Sequence, residues 1–163
     1  MEDIVQRIRD SFRDVPRPSL TMSDAEVADD WGDETSRFQE YDRAWWEIPD
    51  DFISRYSTAL IYLPAEAKLY YLPAYMNWFV RTGRFGDNED NSFSNSVVHL
   101  TSFLQDSERF GAVWELMTTD QKRVTFDFVE ACPALATGEL MQAVCEDVQK
   151  VVSHFIKTCG GVT

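Results

Sequence analysis

Ala59-Leu-Ile-Tyr-Leu-Pro-Ala-Glu-Ala-Lys-Leu-Tyr-Tyr-Leu-Pro-Ala-Tyr-Met-Asn-Trp-Phe-Val80 decides the fold. From Leu69 to Val80 only Pro73 and Asn77 interrupt the apolar residues, and they lie four apart, on one helical stripe. A helix that is apolar nearly all round belongs in the middle of a fold. Pro64 stands where the first helical residue would be. Pro73 lacks the amide that would bond Leu69, and its ring disfavours the helical conformation at Leu72, so the sequence predicts a kink or a break there. Tyr70 and Tyr71 directly precede that point, where freed carbonyls need donors and a phenol hydroxyl is one. A wall of Tyr70, Tyr71 and Trp78 could instead line a small-molecule pocket.

Outward from this segment the apolar spacing is helical nearly everywhere, which predicts a single all-α domain of about six to eight helices around a Pro-kinked central helix. Ile4, Val5, Ile8 and Phe12 mark an amphipathic helix over residues 2–13, ended by Val15-Pro16-Arg17-Pro18. Ser23-x-x-Glu26, Ser36-x-x-Gln39 and Thr118-x-x-Gln121 have the capping-box pattern, in which a hydroxyl accepts from a free amide and the later side chain reaches back. The first opens a short helix to about Trp31, stopped by Gly32; the second precedes Phe38, Tyr41 and Trp45. Pro49 starts a helix whose apolar face is Phe52, Ile53, Tyr56 and Leu60, and Phe93, Val97, Leu100 and Leu104 mark another. The third box leads Val124, Phe128 and Cys132, with Pro133 as the stop. Thr137 caps a last helix, ended by Gly160-Gly161, whose stripe is Leu140, Val144, Val148, Val151 and Phe155, with Met141, Val152 and Ile156 beside it.

Tyr-Tyr-Leu-Pro-Ala (Tyr70 to Ala74), preceded by Leu63-Pro64-x-x-Ala67, resembles the signature of an uncharacterised family of small bacterial proteins, a domain of unknown function. Trp46-Glu-Ile48 followed by Phe52 resembles the segment upstream in that family. Leu116-Met-Thr-Thr-Asp-Gln121 followed by Phe126 and Phe128 resembles its Leu-Thr-x-x-Gln helix downstream. The resemblance implies no activity and no catalytic residue.

At 163 residues the chain fits one domain with a sizeable core. Its net charge of −13 is uneven: residues 1–51 hold 15 acids and 6 bases, net −9. Between Arg17 and Arg37 no base occurs, while Asp24, Glu26, Asp29, Asp30, Asp33 and Glu34 do. Such a field repels nucleic acid and anionic membranes and draws a basic partner inward. Cys132, Cys145 and Cys159 are spaced by 13 and 14 residues, which matches neither a metal half-site nor a disulfide framework, so free thiols in a reducing compartment are expected. The N-terminus has no continuous apolar run of a signal peptide, and no run approaches the ~20 residues that span a bilayer; a cytoplasmic protein is expected.

Neither a metal nor a cofactor is expected. Asp87-x-Glu89-x-Asn91 resembles the start of a calcium loop but has Ser92 where Gly is needed and Val98 where a bidentate Glu is required. His99 and His154 sit in apolar contexts outside any His-x-x-x-His spacing, and there is no nucleophile elbow, P-loop or dinucleotide fingerprint. Two readings of different class follow. In the first, a non-catalytic binding protein, immunity- or antidote-like or a nucleic-acid mimic and monomeric or homodimeric, docks a basic protein through Asp24, Glu26, Asp29, Asp30, Asp33 and Glu34, with Trp31 as apolar anchor. The alternative is a small-molecule-binding or hydrolytic helical domain whose site lies near Pro73, at Tyr70, Tyr71 and Trp78.

Overall fold

The computed structural model describes residues 2–29, 44–82, 91–136 and 139–159, with the side chains of residues 2, 26, 28, 29, 91–96 and 140 excepted. The chain is all-α. The described residues form nine α-helices and no strand: α1 (Glu2–Phe12), α2 (Met22–Asp29), α3 (Asp50–Arg55), α4 (Ala59–Tyr62), α5 (Ala65–Thr82), α6 (Asn91–Gln105), α7 (Ser107–Leu116), α8 (Thr119–Leu135) and α9 (Glu139–Thr158). A 3-10 turn at Trp45–Glu47 precedes α3. The count exceeds the expected six to eight for two reasons. The segment after Pro49 is two short helices rather than one, because the backbone leaves the helical region at Tyr56. The helix Ser107–Leu116 went unpredicted, although Asp106 caps it by accepting from the Glu108 and Arg109 amides at 3.1 and 3.0 Å.

α5 is the axis. Every residue from Tyr70 to Val80 is buried, and α1, α3, α4, α7, α8 and the 3-10 turn all pack on it. The helix runs through Pro73 without interruption, so of the expected kink or break the break does not occur. The energetics explain this. A proline inside a helix costs about 3 kcal/mol, whereas each large apolar side chain fully buried contributes about 1.5–3 kcal/mol. Leu72, Tyr75, Met76, Trp78 and Phe79 together outweigh one lost hydrogen bond. Pro133 likewise lies inside α8, two positions before its last residue, and does not stop it: the Ala136 amide still bonds the Cys132 carbonyl at 3.0 Å.

Caps set several remaining boundaries. Thr118 and Gln121 form the predicted box: the Gln121 amide donates to Thr118 Oγ1 at 3.3 Å, and the Thr118 amide donates to Gln121 Oε1 at 2.9 Å. Gln121 Nε2 then donates to the Ser11 carbonyl at 3.1 Å, fastening α8 to the end of α1. At α2 the box lies two residues earlier than the sequence suggested. Thr21 and Asp24 exchange amide-to-side-chain bonds of 2.8 and 3.2 Å, and Ser23 falls inside the helix. Thr21 wins because the chain turns helical at Met22, which leaves Ser23 no free end to cap.

α8 and α9, joined by only three residues, form a hairpin, and α9 also packs on α6. The buried stripe of α9 is Cys145, Val148, Val152 and Ile156. Val151, placed on the expected stripe, is 38% exposed, and Phe155 is half-buried against Phe110 and Trp114 at ring distances of 5.5 and 6.2 Å. The actual stripe passes through Cys145, which an apolar-only pattern skips. The expected helix at Ser36–Gln39 and the caps at Thr137 and Gly160-Gly161 lie outside the described residues, and of the Gly-, Asn- and Asp-rich stretch 81–92, read from the sequence as a loop, residues 81–82 and 91–92 are helical while 83–90 lie outside them.

Candidate functional site

Asp24 is the docking candidate whose side chain is described, and its carboxylate is engaged. Besides the Thr21 amide it accepts the Thr21 hydroxyl at 2.8 Å. It closes a helix end rather than standing as a free surface charge. Glu26 and Asp29 lie on α2 with side chains outside the described set, and Asp30, Trp31, Asp33 and Glu34 lie outside the described residues altogether. The border of this region is well anchored. Trp45 is buried and its indole donates to the Phe12 carbonyl at 3.2 Å. Trp46 meets Trp45 edge-on at 5.5 Å and carries the Arg9 guanidinium 5.4 Å from its ring centroid. The chain after the acidic segment is thus fastened to α1.

The residues proposed for a pocket near Pro73 all lie in the core. Tyr70 and Tyr71 pack edge-to-face at 5.0 Å, and these two and Trp78 are all buried. Burial raises the Tyr70 pKa, against the pull of Arg17 and of the Trp45 backbone amide. Its hydroxyl thus faces the 3-10 turn. A further tyrosine of α5 serves a carbonyl: Tyr75 donates to the Tyr56 carbonyl, closing the junction between α3 and α4. Its position four residues before Phe79 marked it as core, but nothing in the sequence paired it with Tyr56.

Two polar groups in α5 stand out. Asn77 is buried, and its Oδ1 has no hydrogen-bond partner among the described residues. Lys68 is buried without a hydrogen bond or ion pair among them, its ammonium 5.8 Å from the Phe103 ring centroid. Burial first, and then the Arg109 charge, lower its pKa, with Asp106 opposing. Of the two histidines, His154 departs from its apolar sequence setting. His154 is exposed, and half-buried His99 holds an Nδ1 without a partner among the described residues. His154 lines a shallow groove of about 350 Å³ with Glu130, Gln149, Lys150, Ser153 and Lys157. Among the described residues no group of three or more His, Cys, Asp or Glu is placed to hold a metal. None of the described helices is long and apolar enough to cross a membrane.

Residues 1–158 match DUF6714, a family of unknown function. The chain belongs to this family. The match extends over nearly the whole chain, so the DUF6714 unit takes in α1 to α9 and the acidic segment alike, rather than the stretch around α5 alone. Comparison with curated proteins and with solved structures finds no match.

Proposed function

We propose that this DUF6714 chain is a non-catalytic protein-binding module, immunity- or antidote-like or a nucleic-acid mimic, whose acidic N-terminal third docks a basic protein in a bacterial cytoplasm. The observation that carries this reading is the concentration of charge: residues 1–51 account for −9 of the net −13, and no base falls between Arg17 and Arg37. A field of one sign confined to one part of a surface accelerates encounter with the opposite sign. Trp31 is the apolar anchor of the docking face, because buried aromatics carry more binding energy than rim charges. Asp24 supports the face by capping α2.

The test compares capture from the native cell by the wild-type chain and by a variant with Glu26, Asp29, Asp30, Asp33 and Glu34 changed to their amides. A basic protein retained by the first and lost by the second is expected. Equal capture by both, or no basic protein with either, contradicts the reading.

A second reading, a ligand-binding or hydrolytic domain with its site near Pro73, is favoured by the unmatched Asn77 oxygen one helical turn beyond that proline. Native mass spectrometry of the purified chain tests it. A small molecule retained by the wild type and lost with Asn77→Leu supports it, and a wild-type chain that carries none counts against it.

A further inference from the structure

Cys132 on α8 and Cys145 on α9 are both buried free thiols, 4% and 1% exposed. Cys132 lies three residues before the last residue of α8 and Cys145 six residues after the first of α9, and the two helices pack along each other. Close by, Glu130 meets Gln149 and Ser153 across the same pair of helices, with hydrogen bonds of 3.0 and 3.2 Å. Helices packed with axes about 8–10 Å apart, each with Cα atoms about 2.3 Å from its axis, bring facing Cα atoms to about 3.4–5.4 Å at their closest. Disulfides join Cα atoms about 4.4–6.8 Å apart. The thiols also interact directly. The hydrogen bond from Cys132 pulls the Cys145 pKa down, while burial, followed by that same contact, pushes the Cys132 pKa well up. The third thiol, exposed Cys159, lies about 20 Å along α9 from Cys145 and cannot compete within the chain.

We propose that Cys132 and Cys145 form a reversible intramolecular disulfide, closing α8 onto α9 when the protein meets a peroxide. The Cys145 thiolate attacks one oxygen of hydrogen peroxide; the S–O bond forms, the O–O bond breaks, and the hydroxide released takes up the proton Cys145 had lost, giving water. The Cys132 sulfur then attacks the Cys145 sulfenyl sulfur, forming the S–S bond and breaking the S–O bond. Its proton leaves with the departing hydroxide as a second water. The peroxide gains two electrons, one from each sulfur, and a dithiol reductant returns them. Burial keeps larger oxidants out, and peroxide enters through local opening of the hairpin.

The test uses the full reduced chain and its Cys159→Ser variant, each treated with hydrogen peroxide under native conditions, alkylated after unfolding, and mapped by peptide mass spectrometry. The peptides bearing Cys132 and Cys145 should appear as one linked species in both proteins and separate on treatment with dithiothreitol. The oxidised Cys159→Ser chain should melt several degrees higher than the reduced one, since the bond closes a short loop of the unfolded chain. The proposal is overturned by oxidation of Cys159 with Cys132 and Cys145 still open to alkylation, by linkage of either to another chain, by separate over-oxidation of the two sulfurs, or by a linkage that forms only in denaturant.

Discussion

Gln121 joins the N-terminal and C-terminal parts of the fold through one side chain, which makes Gln121→Ala an informative perturbation. The change removes the acceptor of the Thr118 amide and the donor to the Ser11 carbonyl. Loss of a helix cap costs about 1 kcal/mol, and a carbonyl left unpaired in a part-buried site about 1–3 kcal/mol. Together these predict a loss of about 2–4 kcal/mol. At about 2–4 °C per kcal/mol for a domain of this size, the melting temperature should fall by close to 10 °C. Thr118→Ala gives up only its half of the cap, so about 1 kcal/mol and about 2–4 °C. Gln121→Glu keeps the acceptor for Thr118 but cannot donate to Ser11 at neutral pH, and should fall between the two. Denaturant unfolding and thermal melts of the three variants measure the series. If Gln121→Ala is no worse than Thr118→Ala, the bond between α8 and α1 contributes nothing and the reasoning fails.

Tyr71→Ala should destabilise by roughly 3–5 kcal/mol, the range for deleting a large buried aromatic; an unchanged melting temperature would show the ring to be dispensable to the core. Lys68→Met should stabilise the protein at neutral pH. The folded pKa of Lys68 lies below its unfolded value, so the unfolded chain binds more protons, and the wild type gains stability as pH rises through the window between the two. The advantage of the variant should therefore shrink toward pH ~10.4, and an advantage that stays constant up to that pH argues against a buried charge as its source. On α9, Val152→Ala should cost about 1.5–3 kcal/mol while Val151→Ala stays within about 0.5 kcal/mol. The reverse order in chemical denaturation would restore the stripe expected from sequence.

The helical class was legible because it rests on local chemistry. Thr118-x-x-Gln121 closes on itself within one turn, and the apolar run of α5 admits no setting but the core. What escaped sequence reading is tertiary. Burial carried Pro73 and Pro133 inside helices that propensity alone would end. The α2 box was misplaced because Thr21 and Ser23 are both competent caps, and only the path of the chain after Leu20 selects between them. α9 was rotated away from its expected stripe because Cys145 packs as a hydrophobe while Val151 is left at the surface. Among the site candidates, the burial of Tyr70, Tyr71 and Trp78 followed from the apolar run that holds them. Asp24 counted as a free acid until its neighbour Thr21 was seen to hold it.

The central claim is that the N-terminal acids dock a basic partner, and the association rate tests it most directly. With the captured partner in hand, stopped-flow binding of the wild-type chain and of the five-amide variant should be followed from low salt to beyond ~0.1 M, where the screening length falls to about 10 Å. The account predicts fast wild-type association that slows steeply with salt. The variant should bind at least tenfold more slowly at low salt and respond weakly to added salt. Equal on-rates at low salt would contradict it.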